Sequence, residues 1–189
     1  MTKETMVRRA ADNPYLHRDF HNILNLGLDY LEKEYGPAAV VGYLTDYAAH
    51  FHSPETAEIQ KEGLSAVREI FQRTYAAEDA ANVLAFEEKP GALFVRVAEC
   101  PAVKHIKKLG DVPSRYYALT TSAVWREIVR RTDIGFEPLF YDPATGAAEY
   151  LFYEIPQNKA DTDKADADKN NTEKTDTDAT PAQRKEASR

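Results

Sequence analysis

The sequence predicts an α+β domain in which helices cover one face of an antiparallel sheet. Apolar residues recur at helical spacing in the first half of the chain, up to about residue 75. Beyond residue 82, two pairs of segments alternate apolar and polar residues, and a short turn joins each pair. Because no β-α-β alternation occurs, the strands are expected to pair as hairpins. The predicted order is three helices, a hairpin, two helices and a second hairpin.

Three helices are expected before residue 76. The first covers residues 15–35, where apolar side chains recur at helical spacing. Gly36 supplies its C-terminal stop, and Pro37 takes the first position of the second helix, which runs to about residue 51. Ser53 is expected to cap a third helix that continues to about residue 75, with Pro54 at its first position.

Two hairpins separated by two helices are expected in the second half. A turn at residues 89–91 joins the first pair of strands, and residues 142–146 join the second pair. Pro101 begins a short helix that ends near residue 109, and Thr120 or Thr121 is expected to cap the next helix. The strands are predicted at residues 82–87, 92–98, 136–141 and 147–155.

Composition divides the chain into three parts. Residues 157–189 contain no Val, Ile, Leu, Met, Phe, Tyr or Trp. Such a segment cannot bury enough apolar surface to offset its conformational entropy. We therefore expect a disordered charged tail at 157–189, a single folded domain at 15–156 and a flexible N-terminus at 1–14.

Charge and cysteine content narrow the class of partner. The tail holds seven basic and eight acidic side chains, so the folded part carries nearly all of the formal net charge of −7. An acidic domain argues against nucleic acid, whose phosphates usually need a basic face. The single cysteine excludes an internal disulfide and suits a cytoplasmic protein. No segment approaches the roughly 20 apolar residues that span a membrane, so no membrane association is expected.

Six short segments resemble one protein family. They are residues 17–21 (HRDFH), 25–31 (NLGLDYL), 34–36 (EYG), 99–103 (ECPAV), 108–110 (KLG) and 141–146 (YDPATG). With these segments the chain resembles bacterial L-2-amino-thiazoline-4-carboxylic acid hydrolases over most of residues 15–155. The order of elements also looks like the 4-vinyl-reductase fold, an analogy of architecture in which helices and an antiparallel sheet enclose a small-molecule cavity. The resemblance implies ring-opening hydrolysis of a cyclic thiazoline amidine to a cysteine-type product.

Cys100 is the first candidate catalytic residue. It lies where a predicted strand ends and a proline-started helix begins, and the N–H groups at a helix N-terminus lower a thiol pKa and stabilise an oxyanion. In the implied reaction Cys100 attacks the amidine carbon, and His21 or His105 moves protons. His105 lies about 140° around the helix from Cys100, which disfavours a direct pair. The alternative is a packed Cys100 and a solvated His105.

Four of the five histidines form an alternative, metal-binding set. His17 and His21 are four residues apart on one helix face, and His50 and His52 end the next helix. An antiparallel helix pair would bring these ends together. The main expectation is nonetheless that the chain has no metal and no cofactor, with these histidines exposed or hydrogen-bonded at helix ends.

Polar residues within the first helix are candidates for substrate binding. Asn22, Asn25 and Asp29 share one face, where they are placed either to bind an amino-acid-like ligand or to face solvent. Tyr117 is a candidate for the wall of an aromatic pocket, or else an ordinary core residue.

The sequence leads to three functional hypotheses. The leading one is hydrolysis of a small cyclic amidine or C–N substrate such as 2-amino-thiazoline-4-carboxylate. The alternative is a non-enzymatic small-molecule or metal-binding module with a helix-covered cavity. The third is an interaction protein that uses its tail as a tether. We expect a small-molecule substrate and allow for a homodimer. The sequence contains no phosphate-binding glycine loop, GxSxG, CxxC or HExxH motif, which excludes several other enzyme classes.

Overall fold

The computed structural model describes residues 14–156, with side chains from residue 20 onward. Within this range six α-helices and one four-stranded antiparallel sheet confirm the α+β class. The helices are α1 (Pro14–Tyr35), α2 (Pro37–Phe51), α3 (Ser53–Glu62), α4 (Leu64–Ala77), α5 (Pro101–Lys108) and α6 (Leu119–Val129). The strands are β1 (Leu84–Lys89), β2 (Ala92–Val97), β3 (Ile134–Tyr141) and β4 (Ala148–Glu154). The predicted tail, and the predicted N-terminal segment except residue 14, lie outside the described residues.

The predicted third helix is divided in two, which corrects the expectation of one helix to residue 75. Gly63 has a φ of 63°, a left-handed conformation that interrupts the helix between α3 and α4. The predicted cap at Ser53 is also wrong, because His52 takes the N-cap position and Ser53 lies within α3. There the Ser53 hydroxyl donates to the His50 carbonyl at 3.3 Å.

The predicted cap of α6 is likewise wrong. Thr120 and Thr121 lie inside the helix, whose N-cap position belongs to Ala118. The Thr120 hydroxyl donates to the Tyr117 carbonyl at 2.7 Å, one turn back, and so does not accept a helix N–H. The chain thus enters α6 directly from a turn, and both threonines become available to line the interior.

The sheet has the strand order β1-β2-β4-β3, with every neighbouring pair antiparallel. Its two hairpins, β1-β2 and β3-β4, join through β2 and β4, where Val95 pairs with Tyr150. Side chains alternate along each strand, so one face of β2 and β4 is buried and the other carries polar pairs such as Arg96 with Glu149 at 3.3 Å. The helices therefore cover one face, as the pattern predicts.

Aromatic packing joins α4 and α6 to the sheet. Phe71 of α4 stacks on Trp125 of α6 with ring centroids 4.9 Å apart and planes 4° apart, and Phe152 of β4 meets Trp125 edge-on at 4.9 Å. A second cluster, centred on Leu28, Val40 and Ile106, holds α1, α2 and α5 together. In the described residues no helix has the length and apolar character needed to cross a membrane.

Candidate functional site

The helices enclose a cavity of about 360 Å³. Residues of all six helices line this cavity. Phe20 and Phe51 line it and are 42% and 65% exposed, so they mark where the cavity meets solvent. The other polar and aromatic residues of the wall are His21, Tyr47, His52, Glu55, Phe71, Thr74, Tyr75, Glu78, Cys100, Tyr117, Thr120, Thr121 and Trp125.

Cys100 lines this cavity from the N-cap of α5. Its backbone is extended, with φ −83° and ψ 120°, and Pro101 takes the first helical position. The backbone N–H of Cys100 donates to the Thr145 carbonyl at 3.0 Å, which fixes the start of α5 against the turn between β3 and β4. Cys100 therefore lies at a helix N-terminus and also on the wall of a cavity of ligand size.

The pKa of the Cys100 thiol is raised, which corrects the expectation that the helix N-terminus lowers it. Burial is the largest cause, because the apolar surroundings disfavour the thiolate. The N–H groups of Val103 and Ala102 act in the opposite direction, and the charges of Glu78 and Glu99 add to the rise. Cys100 is thus a protonated thiol at neutral pH.

The turn at residues 142–146 shapes the position of Cys100. The Asp142 carboxylate accepts hydrogen bonds from the Ala144 N–H at 2.8 Å and the Thr145 hydroxyl at 2.6 Å. Gly146 has a φ of +69°, and a Cβ added to it would lie 2.4 Å from the Cys100 Cβ. Two of the segments that carry the family resemblance are therefore in direct contact.

His21 lines the same cavity as Cys100, as the sequence alone could not establish. Its Nε2 lies 2.9 Å from Glu78 Oε1, and the Glu78 side chain is only 7% exposed. Glu78 follows α4 directly and was missed at the sequence level, because no motif surrounds it. Its charge also acts on Cys100, so an imidazole, a carboxylate and a thiol share one wall.

His52 and Glu55 form a second pair on the cavity wall. His52 Nδ1 lies 3.6 Å from Glu55 Oε2, and the pKa of His52 is lowered because burial disfavours its charged form more than Glu55 favours it. The imidazole is therefore neutral near pH 7. Glu55 carries no special sequence signal, since a carboxylate early in a helix is commonly explained by the helix dipole.

His105 does not line the cavity of Cys100. It faces a separate depression of about 350 Å³ on the outside of α5, together with Lys104 and Lys108. Its Nε2 is shielded from solvent and has no hydrogen-bond partner among the described residues. The structure therefore brings Cys100 together with His21 and not with His105.

The polar face predicted on α1 is divided among three surroundings. The amide of Asn25, 1% exposed, donates to the Val112 carbonyl at 3.0 Å and accepts from the Ser114 N–H at 2.7 Å. Asn22 donates to Asp111 Oδ2 at 2.8 Å, and Asp29 is exposed. None of these three lies on the cavity wall. Asn22 and Asn25 instead bond to the loop after α5.

Tyr117 does line the cavity and is 5% exposed. Burial raises the pKa of Tyr117, and it does the same for Tyr75 and Tyr150. A thiolate at the nearby Cys100 would raise the pKa of all three hydroxyls further. Burial also raises the pKa of Tyr141 to about 12. These hydroxyls are neutral hydrogen-bond donors at physiological pH.

The alternative metal set is not assembled by the described side chains. His21 and His52 line one cavity, whereas His50 is exposed and its Nδ1 lies 2.7 Å from the Asp46 carbonyl. The side chain of His17 is outside the described part of the chain. Among the side chains described, no three His, Cys, Asp or Glu residues form a group suited to a metal ion.

Fold and site together define an α+β protein with a helix-lined cavity of ligand size. Comparison with protein-family models, with curated proteins and with solved structures finds no match to this chain. The resemblance to thiazoline-carboxylate hydrolases therefore stays a prediction from short segments.

Proposed function

We propose that this chain binds a small organic molecule in the helix-lined cavity. The observation that carries the proposal is the cavity itself: its volume of about 360 Å³ lies within the range of ligand sites, roughly 300 to 1,000 Å³. Aromatic rings from α4 and α6 supply flat apolar walls. A few polar groups interrupt these walls, as is typical of sites that orient a ligand.

The polar groups support recognition of a ligand with both donors and acceptors. Glu55 and Glu78 accept hydrogen bonds, and the neutral hydroxyl of Tyr117 donates. The thiol of Cys100 adds a polarisable group. A ligand of about eight non-hydrogen atoms, the size of benzyl alcohol, would bind with a dissociation constant on the order of 1 mM at about 0.5 kcal/mol per atom.

A bulky side chain at the rim tests the binding proposal. Thr74 is an exposed residue of α4 that lines the cavity, and Ala76 is an exposed residue of the same helix that does not. We expect Thr74→Trp to weaken binding of benzyl alcohol by about fivefold or more, and Ala76→Trp to leave it unchanged. Titration followed by protein NMR measures both affinities. Equal affinity in the two variants, or no binding to the unmodified chain, contradicts the proposal.

A second candidate function is hydrolysis of a cyclic amidine such as 2-amino-thiazoline-4-carboxylate. The specific observation in its favour is that Cys100, at the N-terminus of α5, shares a cavity with His21. His21 Nε2 lies 2.9 Å from Glu78 Oε1, so the carboxylate is placed to orient the imidazole. The imidazole of His21 is then the candidate acceptor of the thiol proton during attack.

The proposed steps consume one water molecule. Cys100 Sγ bonds to the amidine carbon as its C=N π bond opens towards nitrogen and the thiol proton passes to His21, and the N–H groups of Ala102 and Val103 stabilise the developing charge. The C=N bond then re-forms as a ring bond of that carbon breaks, and the departing ring atom takes the proton from His21. Water attacks the same carbon, the bond to Sγ breaks, and the thiol recovers its proton.

Replacement of the thiol tests the hydrolytic candidate. We expect Cys100→Ser to abolish turnover of 2-amino-thiazoline-4-carboxylate, followed by chromatography of the remaining thiazoline, while benzyl alcohol still binds. Full turnover by the variant would exclude nucleophilic attack by Cys100. Lack of turnover by the unmodified chain would reject hydrolysis of this substrate and leave the binding proposal intact.

A further inference from the structure

Two buried polar atoms of the cavity wall lack a short hydrogen bond. They are His52 Nδ1 and Glu55 Oε2, which form a loose pair at 3.6 Å, and neither has another hydrogen-bond partner among the described residues. The two side chains are 22% and 21% exposed, yet these particular atoms are shielded from solvent. Because a carboxylate without a short hydrogen bond is costly to bury, the place of Glu55 on a cavity wall points to a hydrogen-bond donor from the ligand.

The charge of Glu55 is only partly balanced by its protein neighbours. Arg73 Nη2 lies 3.9 Å from the other carboxylate oxygen, Oε1, and Arg73 makes its short hydrogen bonds, at 2.7 and 3.1 Å, to Glu58. His52 offers little compensation, since burial lowers its pKa. Among the described residues of the cavity wall there is no lysine or arginine.

Aromatic rings pack against the imidazole of His52. The rings of Tyr47 and Phe51 lie 5.5 and 5.1 Å from the imidazole of His52, and they lie 5.2 Å from each other. Aromatic faces attract cations through their quadrupole, most strongly where water is excluded. Phe51 is at the exposed rim, so a ligand that enters there meets this cluster first.

We propose that the cavity selects a ligand with a positively charged nitrogen, and that the Glu55 carboxylate on the cavity wall accepts hydrogen bonds from its N–H groups. The inference rests on the proposed binding function and adds the chemical class of the ligand. An ammonium between the carboxylate and the rings of Tyr47 and Phe51 gains a charge-assisted hydrogen bond and cation–π contacts. A neutral ligand of the same shape gains only the apolar contacts.

Three probes that differ in charge test the selection with the full chain. Benzylamine, benzyl alcohol and benzoate share one ring and are cationic, neutral and anionic at pH 7. We expect benzylamine to bind about tenfold or more tightly than benzyl alcohol, and benzoate to bind most weakly. Glu55→Gln should remove about tenfold in benzylamine affinity and a smaller factor in benzyl alcohol affinity. The matched control is Glu62→Gln, an exposed carboxylate of the same helix that pairs with Lys61 at 2.8 Å.

The outcomes separate this inference from the binding proposal. If benzyl alcohol binds and benzylamine binds no tighter, or if Glu55→Gln retains the full affinity for benzylamine, the charge selection is wrong and the cavity remains a binding site. If none of the three probes binds, the binding function fails and the inference fails with it. An equal loss of benzylamine affinity in Glu62→Gln would show a general charge effect and also overturn the role of Glu55.

Discussion

At Cys100 two opposing effects act on one thiol. The N–H groups of Val103 and Ala102 stabilise the thiolate, whereas the surrounding side chains keep water away from it. The helix N-terminus favours the thiolate only through partial charges that act over a short range. Desolvation disfavours the full negative charge of the thiolate. Burial is the larger effect here, so a helix N-terminus alone does not make a reactive cysteine.

The first prediction concerns the alkylation of Cys100. Only the thiolate reacts with iodoacetamide, so a raised thiol pKa delays reaction to alkaline pH. We expect the rate to keep rising beyond pH 9.0, the ordinary pKa of this group. Mass spectrometry of the intact chain measures the rate without ambiguity, because the chain has one cysteine. A rate that reaches its plateau below about pH 8 would show a depressed pKa instead.

Asn25 illustrates a polar residue whose role is structural in the described fold. Replacement by Ala leaves the Ser114 N–H and the Val112 carbonyl without their partner, so we expect a loss of about 2 kcal/mol in unfolding free energy. Asn22→Ala is the control and should cost less than about 1 kcal/mol, since the carboxylate it bonds to, Asp111 at 2.8 Å, is partly exposed and water can replace the lost donor. Urea denaturation measures both. Equal losses of unfolding free energy in the two variants would contradict this structural role of Asn25.

At the scale of elements, the turn between β3 and β4 sets the start of α5. Asp142 closes the turn with its side chain, and Gly146 allows the turn to approach Cys100 and Val103. The contact brings two distant segments of the sequence together, with the Cys100 N–H donating to the Thr145 carbonyl at 3.0 Å. A catalytic or binding role of Cys100 therefore depends on a hairpin about forty residues away, since helix and turn position one another.

A comparison of two glycines separates the cost of backbone strain from the cost of a steric clash. In Gly146→Ala the new Cβ collides with Cys100 and with Val103 Cγ2, the latter at 2.8 Å, whereas at Gly110, with φ +89°, no described atom lies within 4 Å. We expect Gly110→Ala to cost about 1 kcal/mol from backbone strain and Gly146→Ala to cost about 1 to 3 kcal/mol more. Urea denaturation compares them. Equal costs would mean that the turn moves away freely.

At the scale of the whole molecule, the cavity lies where two hydrophobic clusters meet. Phe71 and Trp125 belong to the cluster over the sheet, and Tyr117 belongs to the cluster that joins α1, α2 and α5. All three line the cavity. Neither cluster alone contains the site, so small changes in how α1 packs against the rest would alter the volume available to a ligand.

The fourth prediction concerns residues 157–189, which lie outside the described residues. Their composition provides no large apolar side chain for a core, so their removal should leave the melting temperature within about 2 °C of the full chain. Benzyl alcohol affinity should also be unchanged. Differential scanning calorimetry tests the first statement, and a drop larger than about 5 °C would show that the tail stabilises the domain.

Local signals predicted most of the elements. Gly36 followed by Pro37 marks the boundary of the first two helices, and alternation marks the four strands to within two residues. The division of the third helix was missed, because Gly63 alone does not reveal a positive φ. The caps of α3 and α6 were also wrong, since Ser and Thr serve equally well inside a helix when they bond one turn back.

The sequence by itself determined the α+β class, the hairpins, and the position of Cys100 at the start of a helix, because these follow from local periodicity and from proline and glycine chemistry. Only the tertiary structure decided which side chains share a cavity. It places His21 and Cys100 on the wall of one cavity and His105 outside that cavity. It also bonds Asn25 to the loop after α5 and adds Glu78 and Glu55 to the cavity wall. The same packing raised the thiol pKa, since desolvation depends on neighbours that no local pattern specifies.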